Sequence, residues 1–251
     1  MIGDKKVVCV IPARLASSRF PKKILTSLAG KPLLQWAWEG ALQVPLFDEV
    51  VLAIDAEETA DVVKSFRGRY VMTSIECLNG TARLVELKKR GVMQADIWVN
   101  WQADEPFLSP KIFQDLLQSC NHSEADLWTL KKLVEEESRV QSPDLCKVVC
   151  DQRGYALYFS RSQIPYYRDP SEVKKWFKHV GLYAYSDAAM EKISCMGPCD
   201  LEMAESLEQL RFLFQGLKIE VHETFEEVLG IDRPEHLAMA EEYAKKGALF
   251  Y

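Results

Sequence analysis

Short apolar runs of strand length punctuate the first hundred residues, and each ends in a polar or proline-bearing turn. Val7-Val8-Cys9-Val10-Ile11 is cut off by Pro12, Val50-Val51-Leu52-Ala53-Ile54 ends at Asp55, and Tyr70-Val71-Met72 is shorter. Ile97-Trp98-Val99-Asn100 is closed by Gln102-Ala103-Asp104-Glu105-Pro106. Apolar continuity without alternation marks strands covered on both faces, the form that parallel sheets take. Between these runs the spacing turns helical. Leu33, Leu34, Trp36, Ala37, Ala41 and Leu42 follow Gly30-Lys31-Pro32, a helix is expected from about 56 to 66, and another opens at Asn79-Gly80-Thr81 and runs through Lys89. Ser109-Pro110 supplies a cap and a first-turn proline for a fourth. Strands alternating with helices predict βαβ units with right-handed crossovers. The carboxyl ends of the strands then gather 12–23, 55, 73–81 and 101–106 on one rim, where open α/β sheets bind ligands.

Beyond about residue 125 the pattern changes. Cys146 to Asp151 and Tyr155 to Ser160 are joined by Gln152-Arg153-Gly154, a hairpin signal. A strand at His179 to Tyr185, helices near 187–195 and 203–215, a strand at 218–222 and a last helix from about Pro234 follow. The expected fold class is therefore α/β, with a mixed, mainly parallel central sheet flanked by helices. A single domain over 1–251 is expected, with halves of about 1–125 and 126–251, and the charged stretch 168–178 as a flexible loop.

Composition narrows the classes. Of the 251 residues, 48% are hydrophobic and 27% charged, which fits a globular chain and not a disordered one. No apolar run reaches the roughly 18–20 residues of a membrane span, and the start lacks a signal-peptide pattern, so a cytoplasmic location without membrane insertion is expected. The seven cysteines are odd in number and mostly in apolar contexts, as reduced thiols are. The C-x3-C pairs 146/150 and 195/199 do not have zinc-knuckle spacing. Net charge is −6, which argues against a nucleic-acid partner.

One segment opposes that charge. Residues 5–38 hold no Asp or Glu but seven basic side chains: Lys5, Lys6, Arg14, Arg19, Lys22, Lys23 and Lys31. A phosphate site explains the asymmetry, and a solvated basic loop is the other reading. No glycine lies between Gly3 and Gly30, and no P-loop occurs, so Arg14 and Lys23 are the candidates to hold phosphates. Asp104 follows a strand on the same rim. Two like unit charges at 4 Å cost roughly 4 kcal/mol at an effective dielectric of 20, so a carboxylate beside phosphates calls for a bridging cation. Oxygen ligands suit Mg²⁺, which makes Asp104 and, later in the chain, Asp232 candidate ligands. A solvated turn residue and an N-cap are their alternative readings.

The signature Ile11-Pro12-Ala13-Arg14-x-Ala16-Ser17-x-Arg19-x-Pro21-x-Lys23 resembles the opening of the 3-deoxy-manno-octulosonate (Kdo) cytidylyltransferases. The resemblance continues through Met72-Thr73, Asn79-Gly80-Thr81-x-Arg83, Asn100-x-Gln102-x-Asp104-Glu105-Pro106 and Gly154 to Arg161. It ends in His179-x-Gly181-x-Tyr183-x-Tyr185, Leu207 to Arg211 and Gly230-Ile231-Asp232-x-Pro234-Glu235.

That resemblance implies a glycosyltransferase-A-like fold, homodimerisation, and Mg²⁺-dependent joining of CTP and Kdo into CMP-Kdo and pyrophosphate for lipopolysaccharide synthesis. It implies that Lys23, Arg14 and Asp104 act in catalysis. Ala13, Arg14, Lys23, Asn79, Gly80, Arg83 and Gln102 would bind the nucleotide, and Asp104 and Asp232 the metal. Arg161, His179, Tyr183, Glu208 and Gln209 would hold the sugar; the first half would then be nucleotide-binding and the second sugar-binding and dimerising. On the 208–211 helix, Leu207, Leu210 and Leu213 are read as core.

The chain departs from the family pattern at several positions. Lys22 and Ile24 stand for glycine and proline, Cys77 for histidine, Asn79 for serine, Ala103 for glycine and Arg233 for threonine. None removes a proposed cation or metal ligand, so an active enzyme is expected; Ala103 requires a negative φ. The rival readings are a cytidylyltransferase for another acidic sugar, a nucleotide sensor without turnover, and a glycosyltransferase releasing no pyrophosphate from CTP.

Overall fold

The computed structural model describes residues 2–17, 20–169 and 171–245; Arg19 of the basic turn lies outside them. Two compact units emerge, one formed by the residues up to Gln114 with those from Glu226 onward, the other by Asp115–Phe225.

In the first unit, β1 (Val7–Ala13) is the central strand, and Val7 to Ile11 are wholly buried. Each such side chain contributes about 1.5–3 kcal/mol by leaving water. A tight hairpin of β2 (Ser27–Leu28) and β3 (Lys31–Pro32) turns at Ala29 and Gly30, whose φ of 48° and 85° are what a two-residue loop between strands needs. It leads into α1 (Leu33–Leu42), then β4 (Glu49–Ile54), α2 (Glu57–Ser65) and β5 (Tyr70–Met72). Next come α3 (Gly80–Lys89), β6 (Ile97–Asn100) and α4 (Pro110–Leu117). Strand β1 pairs in parallel with both β4 and β6, and β4 with β5. The helix starts expected at Asn79 and Ser109 are present: Asn79 Oδ1 accepts from Ala82 N at 2.9 Å, and Ser109 Oγ from Ile112 N at 3.3 Å.

The second unit is built on β7 (Leu127–Leu133), β8 (Lys147–Cys150), β9 (Ala156–Ser160) and β10 (Phe177–Ser186). Helices α5 (Asp187–Ile193), α6 (Asp200–Glu205) and α7 (Gln209–Phe214) precede β11 (Ile219–Glu223). Strand β10 runs antiparallel to β7 and β8, β8 antiparallel to β9, and β11 parallel to β7. The register of β10 on β7 jumps between Val180 and Tyr183, leaving Gly181 and Leu182 as a bulge.

The chain then returns to the first unit with α8 (His236–Lys245). Ile231 and Ala240 close a cluster with Leu28, Leu33, Trp36 and Phe107, and Ile231 N donates to Asp104 O at 2.8 Å.

Five sequence expectations are corrected. The last segment belongs to the first unit and not to a second half beginning near 126, because its apolar residues complete the first unit's cluster. Strand β7 was not anticipated; Leu127 to Leu130 are buried, and Lys132 hides its stem while Nζ donates to Phe225 O at 3.0 Å. The expected helix 203–215 is two helices, broken where Ser206 is left-handed (φ 51°). Leu207 and Leu210 are core as expected, but Phe212 takes the place of Leu213, which is half-buried, because α7 starts afresh at Gln209. The 168–178 stretch is pinned at its end: Trp176 is buried, with Nε1 donating to Pro165 O at 3.0 Å, and Tyr167 OH donates to Lys175 O at 2.9 Å.

Candidate active site

Lys23 lies on a single 3₁₀ turn, Lys23–Leu25, entered through Lys22 in the left-handed region (φ 53°, ψ 30°). The lysine that stands where the resembled family has glycine thus keeps a glycine-like backbone. Its Nζ lies 2.7 Å from Glu58 Oε1. Lys23 itself is nearly buried, and Nζ donates to Asp104 Oδ2 at 2.6 Å and Asp232 Oδ1 at 3.2 Å. Two carboxylates from distant parts of the sequence therefore converge on one ammonium.

One cation against two anions leaves negative charge, and the neighbouring side chain registers it. Glu105 is held up to about 8, by burial first and then by the charges of Asp104 and Asp232, with Lys23 opposing. Its carboxyl stays protonated at neutral pH, with Oε2 buried and unpaired. Ala103 is absent from the positive-φ residues, so the methyl fits. The donor set suits Mg²⁺: it is all oxygen, and no group of three or more His, Cys, Asp or Glu ligands exists among the described residues, so substrate oxygens would share the coordination.

Ala13 ends β1 opposite Ile54, and Arg14 beyond it is exposed. The turn is tied down by Asp55 at the end of β4. Asp55 Oδ1 accepts Leu15 N at 2.8 Å, while Oδ2 accepts Arg83 Nη2 at 2.8 Å in a pair that is almost wholly buried. Arg83 also donates to Thr73 Oγ1 and to Ser74 O. It is thus engaged in joining the basic turn to the start of α3. Gly80 opens α3 where a Cβ would come 3.1 Å from Asn100 Nδ2 and 3.2 Å from Pro12 Cγ, so any other residue would make these side chains give by a few tenths of an ångström. Gln102 is exposed on the same rim. Cys77, where the resembled family has histidine, donates to Glu86 Oε2 at 3.2 Å, and burial first, then that hydrogen bond, raises it to about 11, which favours the thiol over the thiolate.

In the second unit Cys146 links the sugar-side candidates. Its carbonyl accepts His179 N at 2.8 Å, and its thiol, raised to about 12 chiefly by burial, receives Gln209 Nε2 at 3.8 Å. The His179 and Tyr183 rings sit 5.4 Å apart, with Phe159 edge-on to His179 at 4.9 Å. Burial lowers His179 to about 3, so its imidazole is neutral. Glu208 precedes α7 and accepts Arg211 Nη2 at 2.8 Å. Arg161 donates to the carbonyls of Glu205 and, at 2.8 Å, of Pro143. Buried Lys147 sits in a cage of carbonyls, Ser142 O at 3.0 Å, Leu145 O at 2.6 Å and Arg161 O.

The sequence reading missed Asp55, Glu105, Lys147 and Glu205. Asp55 was visible as the polar stop directly after an apolar strand. Lys147, in an apolar strand, gave no such signal.

With this geometry in place, comparison with known proteins gives a consistent result. The cytidylyltransferase family model matches residues 8–219. The 3-deoxy-manno-octulosonate cytidylyltransferase of Trichlorobacter lovleyi is 40% identical over 253 residues, covering 96% of this chain and 100% of that one. The one from Vibrio parahaemolyticus is 41% identical over 236 residues, 91% and 94% of the two chains. Among solved structures, a CMP:2-keto-3-deoxy-manno-octonic acid synthetase complexed with CTP superposes with a TM-score of 0.90 at 37% identity, covering 96% of this chain and 99% of that one. A 4-diphosphocytidyl-2C-methyl-D-erythritol synthase from Anaerococcus prevotii, 16% identical over 97% of this chain and 98% of that one, shares the fold at a TM-score of 0.61.

Proposed function

The chain belongs to the 3-deoxy-manno-octulosonate cytidylyltransferase family, and on that premise we propose that it transfers the cytidylyl group of CTP to Kdo, giving CMP-Kdo and pyrophosphate. The observation that carries the reading is the convergence of Asp104 and Asp232 on Lys23, beside a basic turn at the carboxyl rim of a parallel sheet. An acidic pair and a buried cation at that place suit a polyanion that brings its own metal, and CTP is one.

In this reading the anomeric hydroxyl of Kdo attacks the α-phosphorus in line. An oxygen–phosphorus bond forms as the bond to pyrophosphate breaks. Arg14 and Lys23 neutralise the triphosphate, and Lys23 is preorganised because Asp104 fixes its ammonium before substrate arrives. Asp104 and Asp232 would hold Mg²⁺, which when bound neutralises phosphate oxygens and lowers the pKa of the attacking hydroxyl. Ala13, Asn79, Gly80 and Gln102 border the nucleotide, and Arg83 holds that border in shape. Glu208 and Gln209 join His179, Tyr183 and Arg161 on the sugar side. The protein works as a homodimer in the cytoplasm; no described helix is long and apolar enough to cross a membrane.

The test is pyrophosphate release by purified protein with CTP, Kdo and Mg²⁺, alongside UTP, other acidic sugars and EDTA, with light scattering for the dimer. Release that requires CTP, Kdo and metal together is the expected result. Turnover with another acidic sugar in place of Kdo, or CTP binding with no release, would overturn the assignment.

A further inference from the structure

The bulge in β10 gives the hydroxyl of Thr129 three neighbours. Thr129 on β7 is fully buried, and its Oγ1 lies 2.9 Å from Leu182 O, 3.2 Å from Val180 O and 3.0 Å from His179 Nε2. A threonine hydroxyl has one proton, and carbonyl oxygens only accept. The proton therefore goes to the carbonyls that the bulge turns toward Thr129. Of these three only His179 Nε2 can donate; the Tyr183 hydroxyl also faces the Thr129 side chain, and because the threonine oxygen has two lone pairs it can accept from both, so the imidazole must carry its proton on Nε2. A neutral ring protonated at Nε2 has its lone pair on Nδ1, and Nδ1 has no hydrogen-bond partner among the described residues.

We propose that Thr129 is a positioning residue that fixes His179 as the Nε2–H tautomer, so that Nδ1 is the acceptor presented to a hydroxyl of the acceptor sugar. The second half rests on the reading of His179 as a sugar contact; the first does not. The bulge is what makes the arrangement work. In a regular ladder the carbonyls of Val180 and Leu182 would not both face one residue of β7, and a threonine there would be free to donate to the ring instead.

The experiment is a two-bond ¹H–¹⁵N spectrum of the full-length ¹⁵N-labelled protein without substrate, with the His179 signals identified by their loss in His179→Gln. Expected are a pyrrole-type shift at Nε2 and a pyridine-type shift at Nδ1. The reverse pattern, or shifts averaged between tautomers, would overturn the role of Thr129. Thr129→Val should give averaged shifts and raise KM for Kdo about twofold, the factor by which a half-populated tautomer lowers apparent affinity, with KM for CTP unchanged. Thr129→Ser should restore both readouts, and a serine variant resembling valine would refute the proposal. If Thr129→Val fails to fold, the wild-type and serine spectra decide. An expected spectrum with an unaltered KM for Kdo in His179→Gln would remove the sugar contact and leave the tautomer standing.

Discussion

Replacing Asp55 by alanine isolates the anchor of the basic turn. The side chains of Asp55 and Arg83 are 9% and 3% exposed, and Asp55 also accepts the backbone N–H of Leu15. Asp55→Ala leaves a guanidinium buried with only the neutral acceptors Thr73 Oγ1 and Ser74 O. Breaking a buried pair from one side costs about 3–5 kcal/mol, because the remaining charge keeps its desolvation penalty. At about 1.4 kcal/mol per tenfold, the unfolding constant rises by roughly 10² to 4 × 10³. With a urea slope near 3 kcal/mol/M for a chain of this size, the midpoint falls by about 1 M or more. Urea denaturation followed by the fluorescence of buried Trp98 and Trp101 reads it. The double variant Asp55→Ala/Arg83→Met should recover at least half of the loss, since no charge is then stranded. A single-variant loss below about 1 kcal/mol, the size of a surface pair, would refute the reasoning, as would a double variant no better than the single.

Other expectations follow from the same geometry. Asp104→Asn keeps an oxygen near Lys23 but removes a charge, and should cut turnover by about two orders of magnitude or more with the unfolding midpoint nearly unchanged; near-normal turnover would remove Asp104 from catalysis. His179 is lowered to about 3 in the folded chain against about 6.5 unfolded, so the unfolded state takes up the proton first as pH falls. Its stability contribution is complete above about pH 6.5 and fades toward pH 3, amounting to a loss of about 2 kcal/mol by pH 5. The stability difference between wild type and His179→Gln should therefore shrink by that amount between pH 7 and 5, and a constant difference would contradict a neutral buried imidazole. Lys22→Gly relieves a left-handed lysine worth about 1–2 kcal/mol, offset by the lost exposed pair with Glu58 and by glycine's backbone entropy. A gain of about 1 kcal/mol or less is expected in thermal unfolding, and a clear loss would mean that the turn depends on the lysine side chain.

What could be read from the sequence was what continuous apolar runs and turn residues encode. The strands ending at Ile54, Met72 and Asn100, and the caps at Asn79 and Ser109, follow from local chemistry alone; β1 was expected to stop at Ile11 but runs through Pro12 to Ala13, where pairing with Ala53 and Ile54 carries it on. Lys23, Asp104 and Asp232 were legible as charges stationed where strands or apolar segments stop, although nothing local told that the three would touch. The break at Ser206 was illegible because a serine in the left-handed region costs about 1–2 kcal/mol, which local chemistry disfavours and only tertiary packing offsets. Strand β7 was hidden because Lys131 and Lys132 mask an apolar run whose lysine stem is buried. Thr129 went unread with the strand that carries it; its role depends on the register jump in β10, which pairing creates and spacing does not.

That the first unit is discontinuous bears on the order in which the protein can mature. Lys23 and Asp104 are synthesised early, but Asp232 follows only after the whole of Asp115–Phe225 has been made. Until Ile231 and Ala240 arrive, the apolar patch of Leu28, Leu33, Trp36 and Phe107 has no cover. A nascent chain halted before residue 226 would carry the basic turn and one carboxylate but neither the second nor a closed core. It would be a sticky intermediate and a client for chaperones. The later of the two site carboxylates thus arrives with a seal, since the segment that brings it in is also the one that closes the core.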